Sequence, residues 1–238
     1  METAYILPGS FKPPHKGHLS LLLKIIKKSK KEHIGKIVIL ISKKVRPLDN
    51  RFSYLEQKSK EELQNALGDY YQGEEYKKIL SLKKNDLIKF IKELLLHDKL
   101  LNVNAEQSLK IWKIYIKNLG INIPKIEVRI SNQNNIMLET DKIILELFRE
   151  KYKKIILLKS AKNASNSRFD FLERKYSRYI ETRLFPDIKN IEATGMRYAL
   201  LNNDYNLFLK YLPKDLSKNI CEKIYKILLT KAVKKSFK

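Results

Sequence analysis

The first forty residues constrain the fold more than any other part of the chain, because two kinds of hydrophobic pattern alternate there. A short apolar run, Ala4 to Leu7, is ended by Pro8 and Gly9, as at the end of a buried strand. From Gly17 to Lys30 the apolar residues keep helical spacing. Lys36 to Ser42 is rich in β-branched residues, which is typical of a strand buried on both faces of a parallel sheet. Strand, helix and strand in this order predict a βαβ unit.

The same alternation resumes in the second half of the chain. Helices are predicted at Ala105 to Leu119 and Asp141 to Tyr152, strands at Ile126 to Ile130, Lys154 to Leu158 and near Arg183 to Phe185, and C-terminal helices at Thr194 to Asn202 and Pro213 to Lys235. Trp112 is interpreted as a core residue of its helix. The overall pattern predicts an α/β, Rossmann-like, doubly wound parallel sheet, which binds its ligands at the carboxyl ends of the strands.

Residues 50–104 interrupt the α/β pattern with segments rich in Lys and Glu. Helices are predicted at Ser53 to Leu67 and Asn85 to Leu96, joined by a tyrosine-rich turn around Gly68 and Gly73. We interpret 50–104 as a helical insertion and 194–238 as a C-terminal helical part, both within a single domain that spans residues 1–238. A length of 238 residues suits one domain of this kind.

Composition indicates where the protein works and what it is not built to bind. A net charge of +23 would favour a polyanionic partner, but the cations are mostly Lys and are spread along the chain, so dedicated nucleic-acid binding is not favoured. The single cysteine, Cys221, excludes an internal disulfide and is expected to be a small buried hydrophobe. No signal peptide and no apolar run of about 20 residues is present, which predicts a protein of the cytoplasm, or of the host cytoplasm if the gene is viral, without a membrane partner.

The loop between the first strand and helix has the chemistry of a phosphate site. The first N–H groups of a helix have no partner within the helix, and the dipole is positive there, so this end attracts anions. Gly9 is expected to let the backbone approach a ligand, and Gly17 to leave room between His15 and His18. An imidazole donates to phosphoryl oxygens, more strongly when protonated, and its ordinary pKa of about 6.5 makes both forms accessible.

The residues from Gly9 to His18 read Gly-Ser-Phe-Lys-Pro-Pro-His-Lys-Gly-His. This segment resembles the G-x-F-x-P-x-H-x-G-H loop of the H-x-G-H nucleotidyltransferases, a cytidylyltransferase-like superfamily. The likeness is nearest to the nicotinate and nicotinamide mononucleotide adenylyltransferases, and to the short members encoded by phages and large DNA viruses. The resemblance implies that His15 and His18 are catalytic, and that Gly9, Ser10, Phe11 and Gly17 bind the nucleotide.

A second element of that family, often written I-S-S-T-x-x-R, has a partial counterpart near the end of the domain. Ile191 to Arg197 reads Ile-Glu-Ala-Thr-Gly-Met-Arg and matches at Ile191, Thr194 and Arg197. The resemblance implies that Thr194 caps a helix and that Arg197 binds the β and γ phosphates. Glu192 and Ala193 stand where relatives have serines.

Further phosphate or substrate contacts are suggested by smaller likenesses. They comprise a lysine of the loop, two lysines after the second strand, and polar residues after the fourth strand: Lys12, Lys43, Lys44, Ser160, Lys162 and Arg168. In the viral and phage members a Ser-x-Lys-Asp segment is found after the fourth strand. Here the acidic position is Asn163.

Together these features predict an enzyme that transfers AMP from ATP to a phosphorylated acceptor such as nicotinamide mononucleotide, a step of NAD biosynthesis, and releases pyrophosphate. Mg²⁺ is expected to be carried by the nucleotide phosphates, and no metal-ligand pattern of the protein's own is found. CTP as donor and a nucleotide- or RNA-binding relic without turnover are the alternatives. A class I aminoacyl-tRNA synthetase is disfavoured because no K-M-S-K-S-like segment is present. The oligomeric state is left open.

Overall fold

The computed structural model describes residues 2–43, 58–68, 73–100, 103–120, 124–133, 135–160, 169–185 and 193–229. The strands are β1 (Thr3–Gly9), β2 (Ile34–Ile41), β3 (Lys125–Ile130), β4 (Lys154–Ser160) and β5 (Ile180–Phe185). The helices are α1 (Lys16–Lys27), α2 (Lys60–Gly68), α3 (Gly73–Ser81), α4 (Lys84–Leu100), α5 (Ala105–Lys117), α6 (Ile136–Arg149), α7 (Asp170–Lys175), α8 (Ala193–Leu201), α9 (Tyr205–Leu209) and α10 (Lys218–Leu228).

The five strands form one sheet in the order β3-β2-β1-β4-β5, and every pair is parallel. The predicted α/β, Rossmann-like doubly wound fold is confirmed. β1 lies in the centre, and its last residue, Gly9, pairs with Ile41 at the end of β2. The loop that leaves β1 therefore starts at the middle of the carboxyl edge, where doubly wound sheets bind their ligands.

Two separate hydrophobic clusters cover the two faces of the sheet. One face packs against α1, α5, α8 and α10, and Trp112 lies fully buried in that cluster, as expected of a core residue; Cys221 is buried there too. The other face packs against α6 and α7. Consequently α1 and α6 approach the carboxyl edge of β1 from opposite sides of the sheet.

Some elements differ from the sequence prediction because local caps and tertiary pairing set their limits. Helix α6 begins at Ile136 rather than Asp141, since the side chain of Asn135 accepts a hydrogen bond from the backbone N–H of Met137. β5 begins at Ile180, because that residue already pairs with Ile155 of β4. Of the helix predicted over Pro213 to Lys235, the described residues contain α10, Lys218–Leu228. Helices α7 and α9 were not predicted.

The insertion is helical where it is described. The helix predicted from Ser53 to Leu67 corresponds to α2, which begins at Lys60; the residues before Lys58 lie outside the described ranges. Helix α3 was not predicted. Helix α4 is longer than the predicted Asn85 to Leu96. The three helices enclose a small core of their own made by Leu63, Ile79, Leu87 and Ile91. α4 also packs against α8. The domain limits 50–104 and 194–238 stay predictions.

None of the helices in the described ranges is long and apolar enough to cross a membrane.

Candidate functional site

The ring of Phe11 packs against the loop after β1 and fixes it. Phe11 has a left-handed backbone (φ 48°), and the residue is 8% exposed. The ring lies over Gly9, where a Cβ atom would come within 2.7 Å of the Phe11 Cζ atom. Its edge meets the ring of His18 at a centroid distance of 4.9 Å and that of Trp112 at 5.5 Å. Gly9 is required by this ring, because Phe11 fills the space that a Cβ atom would occupy; that the backbone of Gly9 approaches a ligand stays a prediction. Phe11 itself acts by supporting His18.

The two histidines cap helix α1 reciprocally. His15 is the N-cap residue, and its Nδ1 atom accepts from the backbone N–H of Gly17 at 3.1 Å. The Nδ1 atom of His18 accepts from the backbone N–H of His15 at 3.3 Å. The rings are stacked with their centroids 3.7 Å apart. The prediction that these side chains lie together at the helix start is therefore confirmed.

The caps also determine where the imidazole protons are. A ring nitrogen that accepts a hydrogen bond carries no proton, so in the neutral form both rings bear their hydrogen on Nε2. Each ring thus carries its hydrogen on Nε2 and uses Nδ1 to fix its own orientation. Ser, Thr, Asp and Asn are the usual N-cap residues, so the presence of two histidines is not explained by helix stability alone.

Burial keeps His18 neutral. Desolvation lowers the pKa of His18 well below its ordinary value, and the neighbouring His15 lowers it further. The expectation that both protonation states are accessible near neutral pH is corrected here, because the partly buried ring, stacked on His15 and packed against Phe11, disfavours its cation. Burial also lowers the pKa of the Lys12 amine.

The low pKa of His18 predicts a dependence of stability on pH. Between the folded pKa and the unfolded value of about 6.5, only the unfolded chain binds the proton, so the free energy of unfolding falls as the pH is lowered through this range. We expect a loss of about 1 kcal/mol between pH 7.5 and 5.5, measured by urea unfolding. His18→Asn should remove this loss.

The control for that experiment is His33→Asn. His33 is exposed and has a positive φ of 48°, which asparagine tolerates. His33→Asn should keep the wild-type slope of stability against pH. An unchanged slope in His18→Asn would contradict the assignment.

The N–H groups at the start of α1 are already partnered in this structure. The N–H of Lys16 donates to the carbonyl oxygen of Tyr211 at 2.8 Å, and that of Gly17 to His15. As expected of the first N–H groups of a helix, their acceptors lie outside the helix: a residue distant in the chain and the cap residue.

The two sequence motifs meet at the loop. Arg197, in α8, donates from Nη1 to the backbone oxygen of Lys12 at 2.5 Å. Gly195 in the same helix lies against Tyr211, and a Cβ atom there would come within 2.2 Å of the Tyr211 hydroxyl. The backbone oxygen of Tyr211, which follows α9, also accepts from the N–H of Lys16, so the C-terminal part of the chain contacts both the loop and the start of α1. Thr194 lies in the first turn of α8, which begins at Ala193; that Thr194 caps the helix stays a prediction.

The remaining predicted site residues divide into three groups. Ser10 and Lys43 are exposed at the carboxyl edge, where the N–H of Ser42 donates to the oxygen of Gly9 at 2.8 Å. Ser160 is the last residue of β4 and pairs with Phe185. Three predicted contacts lie outside the described residues: Lys44, Lys162 and Arg168.

Two contributors to the site carry no recognisable signal in the sequence. Tyr211 acts through its backbone oxygen and its ring on residues far from it in the chain. Tyr115 donates its hydroxyl to the oxygen of Pro14 at 3.2 Å and so supports the loop from α5. Neither contact follows from a local pattern.

The described residues contain no group of three or more His, Cys, Asp or Glu side chains that could hold a metal ion. No protein-family model matches the chain, and no curated protein matches it significantly.

Proposed function

We propose that this chain is a nucleotidyltransferase that transfers AMP from ATP to a phosphorylated acceptor, such as nicotinamide mononucleotide, and releases pyrophosphate. The observation that carries the proposal is the pair of stacked imidazoles at the start of α1, both fixed through Nδ1 and both presenting Nε2. Arg197 supports it, because the structure brings this cation to the same loop from the other end of the chain.

In the proposed reaction an oxygen of the acceptor phosphate attacks the α-phosphorus of ATP. The bond between the α-phosphorus and the oxygen bridging to the β-phosphorus breaks, and pyrophosphate leaves with its electron pair. The acceptor oxygen is already anionic, so no base is needed. Mg²⁺ enters with the nucleotide as part of the substrate and offsets charge on the phosphates.

His15 and His18 would donate from Nε2 to the non-bridging oxygens of the α-phosphate. Charge accumulates on these oxygens in the transition state, so preorganised donors there stabilise it more than they stabilise the bound substrate. Arg197 would hold the β and γ phosphates and then the leaving pyrophosphate. Its guanidinium has five donors arranged in a fork, which suits a phosphate oxygen and a loop carbonyl together.

The test is a screen of four nucleoside triphosphates against phosphorylated acceptors, read as pyrophosphate release. ATP with one acceptor is expected to give product, and His18→Asn serves as the inactive control. Product with CTP alone would identify a cytidylyltransferase. Tight nucleotide or RNA binding without pyrophosphate from any pair would instead identify a binding relic, the alternative that Glu192 and Ala193 favour.

A further inference from the structure

The amino edge of the sheet, opposite the edge from which the histidine loop leaves, collects exposed cations from separate parts of the chain. Thr3 of β1 pairs with Ile34 of β2 and with Lys154 of β4, so the starts of neighbouring strands lie side by side. The turns that enter these strands, and the first residue of β3, contribute six exposed basic residues: Lys30, Lys31, Lys125, Lys151, Lys153 and Arg178. Parallel topology thus gathers at one edge cations that are spread along the sequence.

The carboxylates near this edge do not neutralise these six cations, because most of them are paired with other residues. The pairs are Glu32 with Arg183, Glu127 and Glu150 with Lys36, and Glu181 with Arg183 and Lys154. Glu2 is the one described carboxylate of the edge that forms no such pair. None of the six exposed cations forms a salt bridge with another described residue. The edge therefore keeps an excess of positive charge, which attracts polyanions.

An exposed aromatic ring lies among these cations. Tyr179 directly follows Arg178 and is 54% exposed. Its ring contacts that of Phe148 at a centroid distance of 5.4 Å, and its backbone oxygen accepts from the N–H of Ile155 at 3.0 Å. The ring is thereby held at the start of β5 while much of it stays in solvent. Proteins that bind single strands combine cations along the backbone with aromatic rings on which bases stack.

We propose that the amino edge binds single-stranded nucleic acid, with the six cations contacting phosphates and Tyr179 stacking on a base. Neighbouring strands are about 4.8 Å apart, so five strands give an edge about 19 Å long, which accommodates several successive phosphates. Phosphate contacts carry no sequence information, so binding depends on salt rather than on sequence. A duplex hides its base faces from Tyr179 and binds less tightly. The surface lies away from His15 and His18, so the inference does not depend on the proposed reaction.

The binding test measures the fluorescence anisotropy of labelled oligouridylate and oligothymidylate of about 20 nucleotides, titrated with the full chain at several salt concentrations. A dissociation constant below about 100 μM at physiological salt is expected for at least one of them, and weaker binding of both would overturn the proposal. The variant Lys31→Gln, Lys153→Gln, Arg178→Gln removes one cation from each of three turns. It should lower the slope of log affinity against log salt by about 2, since each single-strand phosphate contact accounts for about 0.7.

The matched control removes the same charge from another surface. Lys110, Lys223 and Lys226 are exposed on α5 and α10, and their replacement by Gln should leave the salt slope near the wild-type value. Equal losses in the two triple variants would show attraction by net charge alone and would overturn the proposal. Tighter binding of a duplex of the same length, or retention by anionic lipid vesicles without oligonucleotide binding, would overturn it as well.

The stacking contact is tested separately. Tyr179→Leu keeps an apolar side chain against Phe148 and removes the aromatic plane. It should weaken binding of the oligonucleotide at least about fivefold and leave the salt slope unchanged. An unchanged affinity would exclude stacking on Tyr179.

A measurement on the wild-type protein decides the question even where a variant does not fold. Acetylation of surface lysines, read by mass spectrometry with and without oligouridylate, should be slowed by the oligonucleotide at Lys30, Lys31 and Lys153 and unchanged at Lys110. Protection that is equal at all four lysines, or present only at Lys110, would overturn the proposal.

Discussion

His18→Asn is expected to lower the turnover number by about two to three orders of magnitude, as the loss of one transition-state donor does in other enzymes. Asparagine can still accept the hydrogen bond from the N–H of His15, so the start of α1 should keep its shape. The loss should appear in kcat rather than in nucleotide affinity, because the imidazole contacts strengthen in the transition state. Single-turnover kinetics and calorimetric binding of ATP measure the two quantities separately.

His15→Asn should behave in the same way, since asparagine is a good N-cap residue and preserves the bond to Gly17. The free energy of unfolding of both variants should lie within about 1 kcal/mol of the wild-type value. His33→Asn is the control for the removal of a histidine and should leave turnover unchanged. An equal loss of affinity and rate, or no loss in either variant, would contradict the proposed role of the imidazoles.

The central part of the fold could be predicted from the sequence because its signals are local. The apolar runs of β1 and β2 and the helical spacing of α1 lie within a few residues of one another, and parallel pairing buries both faces of these strands. The limits of β5 could not be predicted in this way. Its burial is incomplete, and its start at Ile180 is set by pairing with β4, which a local pattern does not encode.

The position of the two histidines could be predicted from the sequence, but the contacts that support them could not. The spacing of His15 and His18 places both residues at the start of a helix, because Pro and Gly end the preceding strand. The contacts that fix their rings come from Phe11, whose positive φ is a tertiary outcome, and from Trp112. The pKa of His18 follows from that enclosure and could not be inferred from the sequence.

The second motif, Ile191 to Arg197, contacts the loop after β1 through Arg197 although it departs from the family pattern. Glu192 and Ala193 lack the hydroxyls expected at their positions, yet Arg197 still reaches the oxygen of Lys12. If Arg197 also binds phosphate as proposed, helix α8 would couple the two ends of the site. The insertion is connected to this helix as well, because α4 packs against α8.

Arg197→Ala should weaken ATP binding about 10- to 100-fold, since a hydrogen bond to a charged group contributes about 1.5–3 kcal/mol and each factor of ten in affinity corresponds to about 1.4 kcal/mol. The affinity for AMP should change little, because AMP lacks the β and γ phosphates. The ATP affinity of Arg197→Lys should lie between those of the wild-type protein and Arg197→Ala, since lysine keeps the charge and loses the planar fork. Calorimetric titration with ATP and AMP measures these differences.

The comparison of ATP with AMP also separates phosphate binding from a purely structural role of Arg197. If this residue only fastens the loop through the oxygen of Lys12, its removal should displace both histidines, and the affinities for ATP and AMP should fall together with the free energy of unfolding. If it binds the β and γ phosphates, only ATP affinity falls strongly and AMP serves as the internal control. A parallel loss for both nucleotides would therefore exclude the phosphate contact.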